Sequence, residues 1–344
     1  MSAGTLSSVN RPLEATATAT LEAAPPRTAI PIAPAPKPTA ADPLGALVLT
    51  ALTAQDGLAP LMANLIATLG GSAWPDELGE AMAEVLDQQQ PLDALTTGDR
   101  VQTALVQSGL LLEARLAAGL QPAASGDLKS ALLVLQERLR ALAGERPEAP
   151  QTSPRKSGVA PPPPIAGARP VAQSAPPATL AAPLEPQRLA GQLLQQTTAA
   201  LARQTLHQLA SAMKTQAPGE AGGARWLFEV PVAADQGAST AQFEIRREPP
   251  RRGGDEDRPH WRVRFSIAPG ELGRVDAELV IRGDHARISL WAEQADTAAA
   301  LARHAAELAQ APALAAFSAE VTCRHGAPPA DPPPAPGRLL DRAL

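Results

Sequence analysis

The sequence has very few aromatic residues and almost no cysteine. Its 344 residues include no tyrosine, four phenylalanines, four tryptophans and a single cysteine, Cys323. One cysteine excludes an intramolecular disulfide framework, and no cluster of metal ligands surrounds it in the sequence. All four phenylalanines and three of the four tryptophans lie after residue 225. Because aromatic side chains supply much of the apolar area of a packed core, we expect a well-packed domain only in the last third of the chain.

Several features that would point to membranes or nucleic acids are also missing. The formal net charge of −5 is small, which argues against bulk binding to nucleic acid or to an anionic membrane. No apolar run approaches the roughly 20 residues that a membrane helix requires, so no membrane insertion is predicted. The first residues lack a basic segment followed by an apolar core and are not a Sec-type signal, so export would use another route.

Motifs of catalysis and cofactor binding are absent as well. The sequence contains no P-loop, no G-x-S-x-G and no G-x-G-x-x-G. Its five histidines have no metal-binding spacing. The arginines between residues 246 and 264 are interpreted as a solvated strand face, and a nucleic-acid footprint is the less favoured alternative. The sequence therefore predicts neither an enzyme nor a bound cofactor or metal.

Proline, by contrast, is abundant, with 37 residues. Residues 1–42 cannot bury enough apolar surface to offset their ordering entropy and are predicted to be disordered. The same argument applies to the tail, residues 326–344. Residues 146–185 predict a stiff proline-rich linker, a spacer of about 120 Å when fully extended. A ligand for domains that bind proline-rich peptides is the alternative interpretation of this linker.

Leucines at helical spacing predict helices on both sides of the linker. Between residues 43 and 145 the spacing predicts four helices, the third from about Asp99 to Ala117. Because this part has almost no aromatic residues, it is interpreted as a loose α-helical region. It is either a small leucine–alanine bundle or a set of helices that dock on a partner. Residues 186–217 predict one longer helix with proline in its first turn.

After Gly223 the apolar residues recur at every second position, which is typical of β-strands. Each predicted strand has one apolar and one polar face. This pattern indicates an antiparallel sheet that is covered on one side and faces water on the other. Gly283 and Asp284 predict a tight hairpin turn between two of the strands. Pro231 predicts that its strand lies at an edge of the sheet.

A helix and a last strand complete the predicted domain. The helix runs from about Asp296 to Gln310, and its small alanines would allow it to approach the apolar face closely as a cover. The last strand runs from about Phe317 to Cys323. Residues 224–325 are therefore predicted to form an α+β domain, in which an antiparallel sheet is covered by a helix and whose size is sufficient for independent folding.

The stretch from Ile267 to Val275 resembles the C-terminal domain of flagellar hook-length control proteins. The family pattern is approximately L-x-P-x-x-L-G-x-V-x-V, followed by a strand with a polar turn and by a helix with leucines seven residues apart. The matching positions are Pro269, Leu272, Gly273 and Val275 in the turn and strand, and Leu301 and Leu308 in the helix. Ala277 departs from the pattern, because the family usually has a larger aliphatic residue there. The resemblance covers about residues 260–323.

The resemblance implies a function in flagellar assembly. In that family the N-terminal part is exported through the flagellar type III apparatus while the hook grows. The C-terminal domain then contacts the cytoplasmic domain of the export gate and switches export from hook to filament subunits. Hook and hook-cap subunits are further implied partners. The protein would be a cytoplasmic monomer that is later exported. At about 3.3 Å per residue, residues 1–185 reach about 600 Å when extended, which is long enough for a gauge.

The resemblance also implies a switch surface, which would consist of Pro269, Leu272, Gly273, Val275, Ala277, Leu301 and Leu308. Burial of these residues in the domain core is an equally acceptable interpretation of the pattern. An alternative from another functional class is a non-enzymatic scaffold or adaptor protein, whose C-terminal domain docks a partner unrelated to export.

Overall fold

The computed structural model covers the full chain and describes residues 43–70, 74–120, 126–144, 161–180, 185–212, 223–234, 237–248, 260–311 and 314–330. All of these residues belong to one compact unit, Asp42–Leu344. The predicted disordered segment 1–42, the first part of the predicted linker and most of the predicted tail lie outside the described residues.

The part before the sheet is helical, as the leucine spacing predicts. Its helices are α1 Pro43–Ala54, α2 Leu58–Leu69, α3 Asp76–Leu86, α4 Gly98–Gln107, α5 Leu112–Ala117, α6 Leu128–Ala143 and α7 Pro186–Ala212, with a 3-10 turn at Leu92–Leu95. The region is not loose. Leucines of α2, α3, α6 and α7 form one buried core, which includes Leu61, Leu132 and Leu193 and extends to Ala238 in the sheet. Leucine stripes on facing helices can interlock in this way without aromatic residues.

The predicted third helix is broken into α4 and α5. The break falls at Gly109, where φ is +83°. This left-handed conformation ends α4 and favours glycine. A Cβ atom at this position would lie 2.4 Å from the Cβ atom of Lys129, near the start of α6. The helix therefore ends where α6 approaches too closely for any side chain.

The sheet has six strands that lie in the order of the sequence. They are β1 Ala224–Ala234, β2 Gly237–Glu248, β3 His260–Ile267, β4 Val275–Arg282, β5 His285–Ala292 and β6 Ser318–His325. The first five are antiparallel, as predicted, and the β4–β5 hairpin turns at Gly283 and Asp284. Pro231 lies in β1, which is an edge strand.

The last strand corrects the prediction of a purely antiparallel sheet, because β6 is parallel to β5. Two helices connect these strands: α8 Ala295–Arg303 and α9 Ala305–Ala309. They replace the single predicted helix, which is broken at His304. A helical connection carries the chain back to the end of the sheet from which β5 started, and this requires β6 to run in the same direction.

The apolar face of the sheet is packed from two sides. Across β1, β2 and β3, the rings of Phe228, Phe243 and Phe265 lie in one row, with centroids 5.1 and 5.6 Å apart. Residues of α4 and the following turn, including Ala104 and Leu110, pack on β1 and β2. On β4 and β5, the contacts come from α8 and from the turn before β6. The apolar face thus receives helices from both halves of the chain.

The sequence predicts that the polar face of the sheet is exposed to water. In the structure this face is largely buried on β1, β2 and β3. Helix α7 packs on it at β1, where Ala210 contacts Leu227. Glu244 and Arg264 are buried at its centre. The Arg264 guanidinium donates a hydrogen bond to Glu278 at 3.0 Å. Charged side chains can be buried when they are paired in this way. Alternating polar residues in a strand are compatible with a face that is exposed to water. They are equally compatible with a face that is covered by a second layer of side chains of complementary charge.

The described part of the predicted spacer, residues 161–180, also lies on this face. The backbone N–H of Val171 donates to Gln242 at 2.6 Å, and Gln173 exchanges two backbone hydrogen bonds with Thr240. Pro164 and Leu180 are buried. The segment has no helix or strand of its own and makes a turn at Ile165–Ala168, where the Ala168 N–H donates to the Ile165 carbonyl at 3.0 Å. It is packed against the protein and not free.

A buried ion pair connects the helices, the sheet and the spacer. Arg203 of α7 and Glu229 of β1 are each 2% exposed, and their closest N–O distance is 2.7 Å. Arg203 also donates to Gln55 at 2.8 Å and to the carbonyl of Pro162 at 3.0 Å. Burial alone would raise the pKa of Glu229, but the Arg203 guanidinium holds it at about 2. The pair therefore stays ionised although it is out of contact with water.

We expect Arg203→Ala to destabilise the protein strongly. The variant leaves the Glu229 carboxylate buried without its guanidinium, which costs about 3–5 kcal/mol of unfolding free energy. The control is Arg138→Ala, because Arg138 forms a 2.8 Å pair with Glu77 on the surface. Loss of such an exposed pair costs at most about 1 kcal/mol. Urea unfolding measures both, and equal unfolding free energies would contradict the role assigned to Arg203.

The low pKa of Glu229 predicts a dependence of stability on pH. Its carboxyl has a pKa near 4.5 when unfolded and about 2 when folded. The unfolded state therefore binds the proton more readily, and the stabilisation is present above about pH 4.5 and lost as the pH falls towards 2, by up to about 3 kcal/mol.

The control for this pH dependence is the double variant Arg203→Met and Glu229→Met, which retains the neighbouring His207. We expect the unfolding free energy of the wild type, relative to this variant, to decrease between about pH 5 and pH 3 in urea titrations. A difference that stays constant over that range would contradict the assignment.

Candidate functional site

The predicted switch surface begins at the turn between β3 and β4. A short 3-10 turn, Gly270–Leu272, follows Pro269. Gly270 has a φ of +56° and Gly273 a φ of +69°. Both lie in the left-handed region, which glycine adopts at little cost. The spacing of the two glycines therefore sets the path of the turn.

Two side chains at the start of α8 hold this turn in place. Gln294 donates from Nε2 to the carbonyl of Glu271 at 2.7 Å. Thr297 donates from Oγ1 to the carbonyl of Leu272 at 2.9 Å. A Cβ atom at Gly273 would lie 2.9 Å from Cγ of Gln294, so glycine also allows the close approach. The side chain of Leu272 remains 53% exposed on this rigid turn.

The seven residues of the predicted surface fall into three groups. Val275 is buried with Ala292 and Ala298, and Leu301 packs against this cluster. Ala277 is buried on the same face, in register with Phe265 of β3 and Leu290 of β5. Pro269 and Gly273 shape the turn. Only Leu272 and Leu308 have strongly exposed side chains, at 53% and 37%.

The two exposed leucines are separated along the helical connection. Thr297 touches the turn that carries Leu272, whereas Leu308 lies in α9. Leu308 is therefore separated from the turn by α8 and by the break at His304. The helix breaks at His304, whose ring Nδ1 lies 2.9 Å from a carboxylate oxygen of Glu307. The two exposed leucines thus lie on different elements, Leu272 on the turn and Leu308 on α9.

The surroundings of the turn are charged. Arg274 donates from Nε to Asp276 at 3.1 Å, and its backbone N–H donates to Glu293 at 3.1 Å. Among the described residues, no group of three or more histidine, cysteine, aspartate or glutamate side chains could hold a metal ion. Burial raises the pKa of the half-buried Cys323 thiol, which makes it less reactive. The exposed leucines and their charged rim are suited to contact with another protein.

No single helix in the described part of the chain has both the length and the apolar composition of a membrane span. The pair α1 and α2, bent by 53° at its break, meets these two criteria only when its helices are taken together.

A row of residues on the polar face carries no motif that predicts it from the sequence. Glu229, Gln242, Ser266, Asp276 and Trp291 are neighbours in register on β1 to β5. One signal was present in the sequence, since Trp291 occupies a polar-face position in β5. A tryptophan at such a position indicates that something covers it. In the structure, the guanidinium carbon of Arg169 lies 5.5 Å from the centroid of its ring.

Comparison with known proteins identifies the C-terminal part of the chain. Residues 250–332 match the family described as "Flagellar hook-length control protein FliK". The match includes β3 to β6 with the turn and both helices described above, and it leaves β1 and β2 outside. No curated protein and no solved structure matches the chain. The turn clamped by Gln294 and Thr297 therefore lies in the part of the chain, residues 250–332, that matches the flagellar hook-length control protein family.

Proposed function

We propose that the chain is a flagellar hook-length control protein. It is exported by the flagellar type III apparatus, acts as a length gauge, and switches export from hook to filament subunits through its C-terminal domain. The observation that carries this proposal is the family match at residues 250–332. The partners would be the cytoplasmic domain of the export gate and the hook and hook-cap subunits. The protein would act as a monomer, without enzymatic activity and without nucleic acid.

Within the C-terminal domain, we assign the gate contact to Leu272 and Leu308. Their exposure supports this assignment, because a partner can reach their side chains without rearranging the domain. Val275, Ala277 and Leu301 have a supporting role, since they pack in the sheet and against α8. Pro269 and Gly273 hold the turn that presents Leu272. The proposed switch surface is thus smaller than the set of residues that matches the family pattern.

The gauge function places a requirement on stability. Helices α1 to α7 are packed on each other and on the sheet, so an extended gauge requires that they unfold before export. Their core consists mainly of leucine and alanine. Alanine buries little apolar area, and no disulfide opposes unfolding. Such a core is compatible with a protein that must fold in the cytoplasm and unfold at the export apparatus.

We expect Leu272→Asp and Leu308→Asp to reduce export of filament subunits while the domain stays folded. Each substitution changes an exposed side chain and should alter the unfolding free energy by less than about 1 kcal/mol. A control outside the matched region is Leu133→Asp in α6, because Leu133 is 45% exposed. We expect this variant to switch normally. Near-ultraviolet circular dichroism measures folding, and the filament subunit in culture supernatants measures switching.

Val275→Asp is the control for loss of folding. Val275 is 8% exposed and packs against Ala292 and Ala298. A buried carboxylate without a partner should destabilise the domain by about 3–5 kcal/mol, so loss of switching in this variant would report unfolding. Normal filament export by the folded double variant of Leu272 and Leu308 would show that the gate contact lies elsewhere.

The function as a whole is tested by deletion in the host. We expect hooks of uncontrolled length without filaments in electron micrographs, because neither the gauge nor the switch would be present. We also expect the intact protein to be found in the culture supernatant during hook assembly. Normal hooks with filaments, and no secreted protein, would instead support the scaffold or adaptor function.

A further inference from the structure

Residues 161–180, called the strap from here on, cross the polar face of the sheet. Gln173 donates from Nε2 to Glu229 of β1 at 3.1 Å. Val171 donates from its backbone N–H to Gln242 of β2 at 2.6 Å. Arg169 lies 3.6 Å from the Glu278 carboxylate in β4 and against the ring of Trp291 in β5. The strap thus contacts β1, β2, β4 and β5.

The strap also uses an open strand edge. Thr240 of β2 lies beyond the last residue pair between β2 and β3, which is Gln242 with Ser266. Gln173 takes the free position, since its N–H donates to the Thr240 carbonyl at 2.9 Å and its carbonyl accepts from the Thr240 N–H at 2.8 Å. Peptide ligands that add a strand to an exposed sheet edge bind with the same backbone contacts.

Both ends of the strap are fixed by side chains of the helical part. At one end, the carbonyls of Pro161 and Pro162 accept hydrogen bonds from Gln55 and Arg203. At the other end, Asn64 of α2 accepts from the backbone N–H of Thr179 at 2.7 Å and of Leu180 at 2.9 Å. The strap is therefore bound by specific hydrogen bonds along most of its length.

A glycine on the helical side makes room for the strap. A Cβ atom at Gly57 would lie 2.2 Å from Oε1 of Gln173 and 3.3 Å from Cγ of Pro161. The backbone at Gly57 has a φ of −65° and a ψ of 151°, which any residue can adopt. The need for glycine here is set by the strap and not by the backbone.

The contacts of the strap are of a kind that can be released while the sheet remains folded. Seven of its residues are prolines, which have no N–H group and cannot form a continuous strand ladder. Most of its hydrogen bonds go to side chains. The surface beneath residues 169–173 is polar, and Arg264 and Glu278 pair with each other without the strap. The strap makes apolar contacts at Ala166, which packs with Leu227, and at Leu180 at its end, which packs in the helical core. Water can solvate a polar surface at much lower cost than an apolar face.

We propose that the polar face of the sheet is a peptide-binding site and that the strap is its intramolecular ligand. The ligand class is an extended, proline-rich segment with an arginine four residues before the residue that pairs with the strand edge. The strap detaches as a unit while the sheet stays folded. Release of the strap exposes Glu278 and Trp291, which lie in the region that matches the family, residues 250–332. This proposal does not depend on the flagellar function.

A binding experiment in the full-length protein tests the site. Residues 161–180 are replaced by a glycine–serine segment of equal length, and a fluorescently labelled peptide of residues 161–180 is added. We expect this protein to bind the peptide at least tenfold more tightly than the wild type, whose own strap occupies the site. The Arg169→Ala peptide should bind about five- to tenfold more weakly, because it lacks the ion pair and the ring contact. The control is a Ser174→Ala peptide, which should bind like the parent because Ser174 is exposed.

Three outcomes would overturn the proposal. If the protein with the replaced segment has lost its near-ultraviolet circular dichroism, the strap is part of the core. If that protein is folded and does not bind the peptide, the polar face is not a binding site. If wild type and replacement bind the peptide equally, the peptide uses another surface.

Hydrogen exchange in the full-length protein tests detachment directly. We expect Gly57→Ala to push the Gln173 side-chain amide out of its hydrogen bonds with Glu229 and the Ala59 N–H, and thereby to increase exchange at Thr240 and Val171 severalfold, while β4 and β5 keep their protection. The matched control is Gly70→Ala at the other end of α2, where an added Cβ atom meets nothing within 4 Å. Unchanged exchange at Thr240, or equal loss of protection throughout the sheet, would contradict a strap that is released separately.

Discussion

The ion pair between Arg203 and Glu229 is the contact on which the arrangement of the chain depends. It lies where α7, β1, the loop after α1 and the strap meet, and both side chains are almost fully buried. Removing two charges from water is costly and is tolerated only when further hydrogen bonds satisfy them. Gln55, Gln173 and the Pro162 carbonyl supply those bonds. The position of α7 on the sheet is therefore coupled to the presence of the strap, since each provides part of the same polar cluster.

This coupling also explains which parts of the fold could be predicted. The strands, the turn at Gly283 and Asp284 and the edge position of Pro231 follow from local alternation and local backbone preference. The burial of the polar face does not, because Glu229 and Arg203 meet across 26 residues of sequence. The parallel direction of β6 was missed for a similar reason. The direction of β6 depends on the end of the sheet to which α8 and α9 return the chain. The alternation of residues within the strands contains no information on this. The break at Gly109 depends on the close approach of Lys129, which is a tertiary contact, and it could not be predicted from the sequence either.

The candidate site shows the same division between local and tertiary information. The two glycines of the turn are recognisable because their left-handed backbone is a local requirement, and the family pattern includes one of them, Gly273. The clamp by Gln294 and Thr297 is a tertiary contact and gave no signal. The pattern also could not separate residues that shape the domain from residues that a partner can touch. Val275 and Leu272 match it equally well, yet one is buried and the other is half exposed.

The two faces of the sheet have different kinds of cover, and this difference has a mechanical consequence. On β4 and β5 the apolar face is packed by α8 and by the turn before β6, both within the matched region 250–332. The polar face is packed by α7 and the strap, which precede that region. Force applied from the N-terminal side reaches α1 to α7 and the strap before it reaches β3 to β6. The strap is held mainly by polar contacts that water can replace when it detaches as a unit, whereas an apolar face loses its stabilisation as soon as water enters. A chain drawn from its N-terminal end would therefore uncover the polar face of the matched domain first, while the apolar face and the turn that carries Leu272 keep their structure.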